Sequence, residues 1–273
     1  MLLRVLPILA VIKGNLGQYS GIDCCVHFSS GDDGELDTSK LTSTSELLTC
    51  VNSSVSFTQT LQPQTLTFAM FASPAVYQFA AHNVLANSMY FESQGFAGRM
   101  LGIETGDDFY PNDRRWNKVR SIMKALHPID GWASHQKSLV YIDTDLVILD
   151  WDLDPETILM MHPDADLLLS SDALDIGNSG FLILRNTLWL RNFISMWWES
   201  RHTQGTFCDQ HVLNKLYHNL KHTKEAHKIA ILAPNEVNSR WPAMETFGKE
   251  DRVLHLMGET PTYRTAVARY TSH

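Results

Sequence analysis

Two aspartates one residue apart, Asp143 and Asp145, close the apolar run Ser138-Leu139-Val140-Tyr141-Ile142, and apolar residues resume at once with Leu146-Val147-Ile148-Leu149. A buried strand that runs into carboxylates places them at its carboxyl end, which in an open α/β sheet is where ligands bind. Alternation along an extended chain sets Asp143 and Asp145 on the same side and turns Thr144 away. Two hard oxygen ligands aimed at one point suit Mn²⁺ or Mg²⁺, which proteins hold through one or two carboxylates while substrate phosphates complete the shell. An isolated Asp-x-Asp also fits a strand end with solvated or helix-capping aspartates, so the tripeptide needs partners from elsewhere in the chain.

Several residues offer themselves. Asn178 lies between Gly177 and Gly180 at the head of Phe181-Leu182-Ile183-Leu184-Arg185, where small neighbours let backbone turn tightly or approach a ligand. Asp209 and Gln210 follow Cys208 near the start of a helical pattern, a place where the helix dipole alone favours a carboxylate. His255 stands in the strand-like run Arg252-Val253-Leu254-His255-Leu256-Met257-Gly258, and a lone strand histidine is ordinarily satisfied by hydrogen bonds. Arg114, Arg115, Lys118 and Arg120 read as a solvated basic face, with Lys118 or Arg115 as the alternative reach toward phosphates. His218, His222 and His227 lie among lysines and read as surface. The glycine-rich phosphate loops GxGxxG and Gly-Lys-Ser/Thr are absent from the sequence, so nucleotide binding has to work through a metal.

Composition narrows the class. A chain of 273 residues accommodates one α/β domain of about 200 residues with an appendage. The balance of 22 basic to 30 acidic residues, net charge -8, leaves no sequence-wide basic field for nucleic acid. An apolar fraction of 44% with seven tryptophans predicts a folded chain. Cys24, Cys25, Cys50 and Cys208 form no CxxC pair and no zinc spacing. A bridge from Cys24 or Cys25 to Cys50 fits an oxidising compartment, and the glycosylation sequon Asn52-Ser53-Ser54 points the same way.

The supporting elements follow in order. Residues 2–12 are apolar except Arg4, too short for the roughly 20 residues a bilayer requires, and read as a signal-peptide core or clipped signal anchor, with a buried strand as the alternative. The Ser/Thr-rich stretch from Ser29 to Thr60 reads as a stem. Thr65 to Phe71 predicts a first strand, with Ser73-Pro74 as a turn, Tyr77 to Ser93 a helix, and Phe96 to Ile103 a second strand. Asn112 or Asp113 caps the next helix, with Trp116, Val119, Met123 and Leu126 on one face. Ala165 to Ser170 is a buried strand. Thr187 to Arg201 is a helix offering Trp189, Phe193, Met196 and Trp197 to the core, Val212 to Leu220 another helix, and Lys228 to Leu232 a strand. This βα rhythm predicts a Rossmann-like α/β fold, its central sheet mostly parallel with helices on both faces.

From about Leu66 to Gly258 the ordered set resembles the galactosyl/mannosyl transferase family of fungi and plants, which has the GT-A glycosyltransferase fold. The resemblance rests on Trp116-Asn117-Lys118, on Asp143-Thr144-Asp145, on Asn178-Ser179-Gly180-Phe181-Leu182-Ile183-Leu184-Arg185-Asn186 with Trp189, on Asp209-Gln210, and on His255 shortly before Gly258. It implies a hexosyl or pentosyl transferase that uses a UDP- or GDP-sugar donor and a glycan or glycoprotein acceptor, with retention at the sugar. It implies Mn²⁺, or Mg²⁺, held by Asp143, Asp145 and His255. Ser73, Lys118, Asp143, Thr144 and Asp145 would bind the donor, and Asn178, Asp209 and Gln210 would surround the transferred sugar. The expected organisation is a signal or anchor and stem over 1–61, a GT-A domain over 62–262 and a tail over 263–273, working in the Golgi or secretory lumen as a single-pass membrane or secreted glycoprotein. Two other readings compete. Asp143-Thr144-Asp145-Leu146-Val147 after an apolar strand also fits a haloacid-dehalogenase-like phosphatase, although Glu250-Asp251 lacks the strand that family places before its later acidic pair. A non-catalytic carbohydrate-binding scaffold would keep the fold without turnover.

Overall fold

The computed structural model describes residues 66–73, 80, 83–84, 87, 90, 101–105, 113–131, 133–171, 177–202, 208–240 and 251–255. The N-terminal apolar run, the stem, Cys24, Cys25, Cys50 and the Asn52 sequon lie outside them. Among the described residues no helix is long and apolar enough to cross a membrane.

Apolar runs rich in β-branched and aromatic residues become the strands of a six-stranded sheet: β1 (Leu66–Ala72), β2 (Leu101–Thr105), β3 (Ser138–Ile142), β5 (Leu167–Ser170), β6 (Asn178–Arg185) and β7 (Ile229–Leu232). Their spatial order is β2-β1-β3-β6-β5-β7. Strands β2, β1 and β3 pair in parallel, as do β5 and β7, while β6 runs antiparallel to both its neighbours. The sheet is therefore mostly parallel, with one inverted strand at its centre. Every residue of β1 and of β3 is buried, the pattern of strands covered on both faces.

Three further strands, β4 (Leu146–Ile148), β8 (Ser239–Arg240) and β9 (Val253–His255), form a separate sheet in the order β4-β9-β8. His255 belongs to this small sheet and pairs with Leu146 across an antiparallel ladder. The turn Asp143–Asp145 is the link between the two sheets.

Helices cover both faces. On one, α1 (Asn117–Ala125), α3 (Leu188–Glu199) and α4 (Asp209–Leu220) bring Val119, Ile122, Phe193, Trp197, Val212 and Leu213 against Leu139, Tyr141 and Leu182. On the other, Ala80, Val84 and Tyr90 of a helical stretch, with α2 (Pro155–Met161) and α5 (Pro234–Val237), join the small sheet over Phe68, Val140 and Phe181. Entry to the helices is fixed by side-chain caps. Asp113 accepts from Arg115 N–H at 3.1 Å ahead of the 3-10 turn that leads into α1, Asp154 accepts from Glu156 N–H at 3.1 Å with Pro155 at the first helical position, and Thr187 accepts from Leu190 N–H at 3.2 Å.

Several boundaries differ from the sequence expectation. Strand β2 runs on to Thr105, past Ile103; residues 96–100 of the expected strand lie outside the described residues. Helix α4 starts at Asp209, so Asp209 and Gln210 lie within its first turn. Met196 is 43% exposed and stays out of the core, because Phe193 and Trp197 already occupy the inward face of α3. Lys118 is buried, whereas Arg114, Arg115 and Arg120 are exposed as a basic face predicts.

Candidate active site

The site forms where the carboxyl end of β3 meets the head of β6, the first turn of α4 and the small sheet. Asp143 N–H donates to Gly180 O at 2.7 Å, which seats the Asp143–Asp145 turn against the start of β6. Ligand oxygens and nitrogen of Asp143, Asp145 and His255 all lie within 4.8 Å of one another. Ser73 is buried at the end of β1, on the same edge of the sheet, since β1 and β3 are parallel neighbours.

Around Asp143 the charges are balanced by protein groups. Lys118 Nζ, projecting from α1, lies 2.7 Å from Asp143 Oδ2, 3.3 Å from Asp209 Oδ2 and 3.1 Å from Ser179 Oγ. An ammonium has three N–H donors, and these three partners match them. Ser179 Oγ in turn donates to Asp209 Oδ2 at 2.9 Å, and Tyr141 O–H donates to Asp143 Oδ1 at 3.1 Å. Burial pushes Lys118 down, but the charges of Asp143 and Asp209 more than offset it and hold the ammonium well above its ordinary value. For Asp143 burial dominates over the pull of Lys118, so its carboxyl sits above the usual range. Burial, reinforced by the Asp143 charge, likewise raises Tyr141 and keeps its phenol protonated.

Asp145 meets a different neighbour. Its Oδ1 lies 3.3 Å from His255 Nε2, while His255 Nδ1 is 2.7 Å from Asn238 Oδ1. The amide oxygen is an acceptor, so Nδ1 carries the proton and Nε2 is presented to Asp145. Burial works against ionisation of Asp145, yet the charge and hydrogen bond of His255 outweigh it and hold the carboxyl below its ordinary value.

The remaining sequence candidates converge on the same place. Asn178 is buried, and its Oδ1 accepts from Gly180 N–H at 2.7 Å. Gln210 Oε1 accepts from Ser179 N–H at 3.2 Å. Asp209 is not serving as a side-chain cap of α4; its carboxylate is turned to Lys118 and Ser179, and its carbonyl accepts from Trp197 Nε1 at 2.8 Å. The two glycines act by close approach. A Cβ on Gly180 would lie 2.8 Å from His255 Cε1 and 2.9 Å from Asn178 Oδ1, and one on Gly177 would lie 2.3 Å from Leu169 Cδ1. Thr144 is buried, but Thr144 and Asp145 form a turn between β3 and β4, so the turn and not strand alternation brings the two carboxylates together.

Sequence reasoning passes over several residues that build the site. Ser179 links Lys118, Asp209 and Gln210. Asn214, one and a half turns along α4, exchanges two hydrogen bonds with Gly177 at 2.7 and 2.9 Å and ties the helix to the head of β6. Asn238 orients His255. Asn83 Nδ2 donates to Thr144 O at 2.5 Å, Asn87 Nδ2 donates to Leu146 O at 3.1 Å, and Asn87 Oδ1 accepts from Ile148 N–H at 2.9 Å. The signal for the last pair is an asparagine at i and i+4 inside the buried stripe Ala80, Val84, Tyr90.

Residues 134–259 match the galactosyl transferase GMA12/MNN10 family. Over that segment the chain is similar to the family. The segment contains Asp143, Asp145, Asn178, Asp209, Gln210 and His255, while Ser73 and Lys118 precede it. The match marks the chain as a glycosyltransferase. No curated protein matches the sequence significantly. Among solved structures, the chain is similar to a glycosyltransferase involved in the glycosylation of the major capsid of PBCV-1, at 12% identity and a TM-score of 0.58, covering 77% of this chain and 99% of that one. It is also similar to the glycosyltransferase GlyE of Streptococcus pneumoniae TIGR4, at 13% identity and a TM-score of 0.48, covering 77% of this chain and 61% of that one. The likeness to the first structure is one of fold, and the fold is GT-A.

Proposed function

We propose that the protein transfers a hexosyl or pentosyl unit from a UDP- or GDP-sugar to a glycan acceptor, with retention, at a divalent-cation centre formed by Asp143, Asp145 and His255. The observation that carries this reading is the convergence of those three side chains within 4.8 Å at the carboxyl edge of the sheet.

The residues fit such an ion. Nε2 of His255 and Oδ1 of Asp145 face each other at 3.3 Å, a separation that a ring proton bridges as a hydrogen bond and that a divalent ion would replace by taking both atoms as ligands. The Asn238 contact to Nδ1 is the kind of outer partner that fixes the tautomer of a metal-binding histidine. Two carboxylate oxygens with one imidazole nitrogen favour Mn²⁺ over the harder Mg²⁺. A cation held by Asp143, Asp145 and His255 would supply charge neutralisation for the departing nucleoside diphosphate.

The chain's own residues do the rest. Lys118 balances Asp143 and Asp209, so the Asp209 carboxylate is held in place at the first turn of α4. Asp209, Gln210 and Asn178 surround the sugar, with Asp209 able to stabilise the oxocarbenium-like state or to attack the anomeric carbon. Ser73, Lys118 and Thr144 belong to the donor side. The chain's organisation is read as a signal or anchor and stem over 1–61, the transferase domain over 62–262 and a tail over 263–273, which suits the lumen of the Golgi or secretory pathway.

A thermal-shift panel of UDP- and GDP-sugars, each with and without Mn²⁺, tests the reading. A ligand at 100 times its dissociation constant stabilises by about 2.7 kcal/mol, and the correct donor should do so only with Mn²⁺ and should be slowly hydrolysed. Absence of any Mn²⁺-dependent stabilisation, or cleavage of phosphate monoesters in its place, overturns it.

A further inference from the structure

Asp145 is flanked by two carbonyls that one helical stretch holds. Asn83 donates to the carbonyl of Thr144 at 2.5 Å, and Asn87, one turn later, donates to that of Leu146 at 3.1 Å. Asn87 also accepts from Ile148 N–H at 2.9 Å, so both halves of its amide are engaged with β4. Asn83 is 2% exposed and Asn87 fully buried. These bonds grip the backbone on either side of Asp145 and along the strand that pairs with His255.

A turn between two strands has freedom that its own ladder does not remove, since Thr144 and Asp145 lie between β3 and β4 and outside both. Its backbone ties are Asp143 N–H to Gly180 O at 2.7 Å and Leu146 N–H to Asp143 O at 3.1 Å, and neither engages the carbonyl of Thr144 or of Leu146. Two helical amides at i and i+4 supply a further restraint, because that spacing stacks them on one side. From this we infer that Asn83 and Asn87 are positioning residues that set the affinity of the Asp143–Asp145–His255 centre for its cation. The inference rests on the metal reading of that centre. Loss of either amide leaves the carboxylates present and lets Asp145 move relative to His255, which weakens binding of the ion more than it changes turnover once the ion is bound.

The test uses the full chain and Mn²⁺ alone, followed by equilibrium binding and by stabilisation against heat, with the Mn²⁺ dependence of donor hydrolysis as a second readout. Asn83→Ala and the milder Asn83→Ser remove the bond to Thr144; Val84→Ala, on the same buried stripe, serves as a packing control. The expected result is a Mn²⁺ half-saturation raised roughly tenfold in both Asn83 variants, the lower end of what partners behind metal ligands contribute, with turnover at saturating Mn²⁺ changed less than threefold. Val84→Ala should lower the melting temperature and leave the half-saturation where it was. Unchanged half-saturation in the Asn83 variants, or an equal rise in Val84→Ala, overturns the positioning role while leaving the metal centre standing. No Mn²⁺ binding by the unaltered protein overturns the centre itself, and the positioning role with it.

Discussion

Asp143 and Asp145 are separated by one residue and titrate in opposite directions. Asp143 belongs to the end of the large sheet, where Lys118, Tyr141 and Ser179 close a network around it and burial still dominates, raising its pKa. Asp145 belongs to the start of the small sheet, where His255 is its facing partner and lowers its pKa despite burial. One region sets its carboxylates against a lysine. The other sets a carboxylate against an imidazole. The turn between the sheets thus joins two differently balanced charge environments, and the division can be broken from either side.

The largest effect should come from the self-neutralised side. Lys118→Met removes the charge shared by Asp143 and Asp209, whose side chains are 22% and 4% exposed. Leaving buried carboxylates unpaired costs about 3 kcal/mol, the lower part of the range for breaking a buried ion pair. Denaturant unfolding should show that loss, and Asp209→Asn in the same background should recover part of it. A Lys118→Met protein as stable as the parent would show that the network is not what holds this edge together.

Asp145→Asn should do the opposite kind of damage. It keeps the shape and removes a negative ligand, so donor turnover should fall at least about a hundredfold, the scale for losing one preorganised electrostatic contact. Stability measured without metal should move by no more than about 1 kcal/mol, as for a partly exposed pair; the Asp145 side chain is 33% exposed. Equal loss of stability in the Lys118 and Asp145 variants would erase the distinction between the two regions.

How much of this was legible in the chain depends on range. Asp143 and Asp145 declare themselves because strand, carboxylates and spacing are all local. The mostly parallel sheet follows from the alternation of apolar runs, and Asp209 from its place beside a helix start. His255 is legible only through resemblance, since a lone strand histidine has no local signature and its partner Asn238 lies in what reads as a polar loop. Lys118 reads as part of a solvated face because Arg114, Arg115 and Arg120 surround it; the rotation of α1 about its axis, set by Trp116, Val119 and Ile122 packing on the sheet, decides that it points inward. Asn83 and Asn87 are silent for the same reason. Their partners are main-chain atoms about sixty residues away, and a backbone acceptor leaves no trace in residue type.

A smaller effect is expected where the two regions touch. Gly180 lies under both, and an added Cβ would stand 2.8 Å from His255 Cε1, 2.9 Å from Asn178 Oδ1 and 3.2 Å from Leu146 Cδ1. Gly180→Ala should therefore cost about 1 to 2 kcal/mol through overpacking. The displaced imidazole should also raise the Mn²⁺ requirement for donor hydrolysis. Since Lys118 is not among the close neighbours of that position, the acid network should be spared, and unfolding of Gly180→Ala/Lys118→Met should show the two losses adding.

The finest distinction is in the acid limb of stability, measured without metal. Asp145 has a folded-state pKa below the unfolded value, so its stabilisation is complete above the unfolded value and is lost as pH falls through the folded one. Asp143 has a folded-state pKa above the unfolded value, so its ionised form costs stability, and that cost disappears as pH falls through the folded value. The Asp143 contribution therefore changes above the ordinary carboxylate value of about 3.9 and the Asp145 contribution below it, with opposite signs. Asp145→Asn removes the loss and should flatten the fall of unfolding free energy with acid. Asp143→Asn removes the compensating gain and should steepen it. Urea midpoints at several pH values on both sides of that value read the sign directly, and slopes that change in the same direction for both variants would mean that the carboxylates share one environment, with no division at the turn between the sheets.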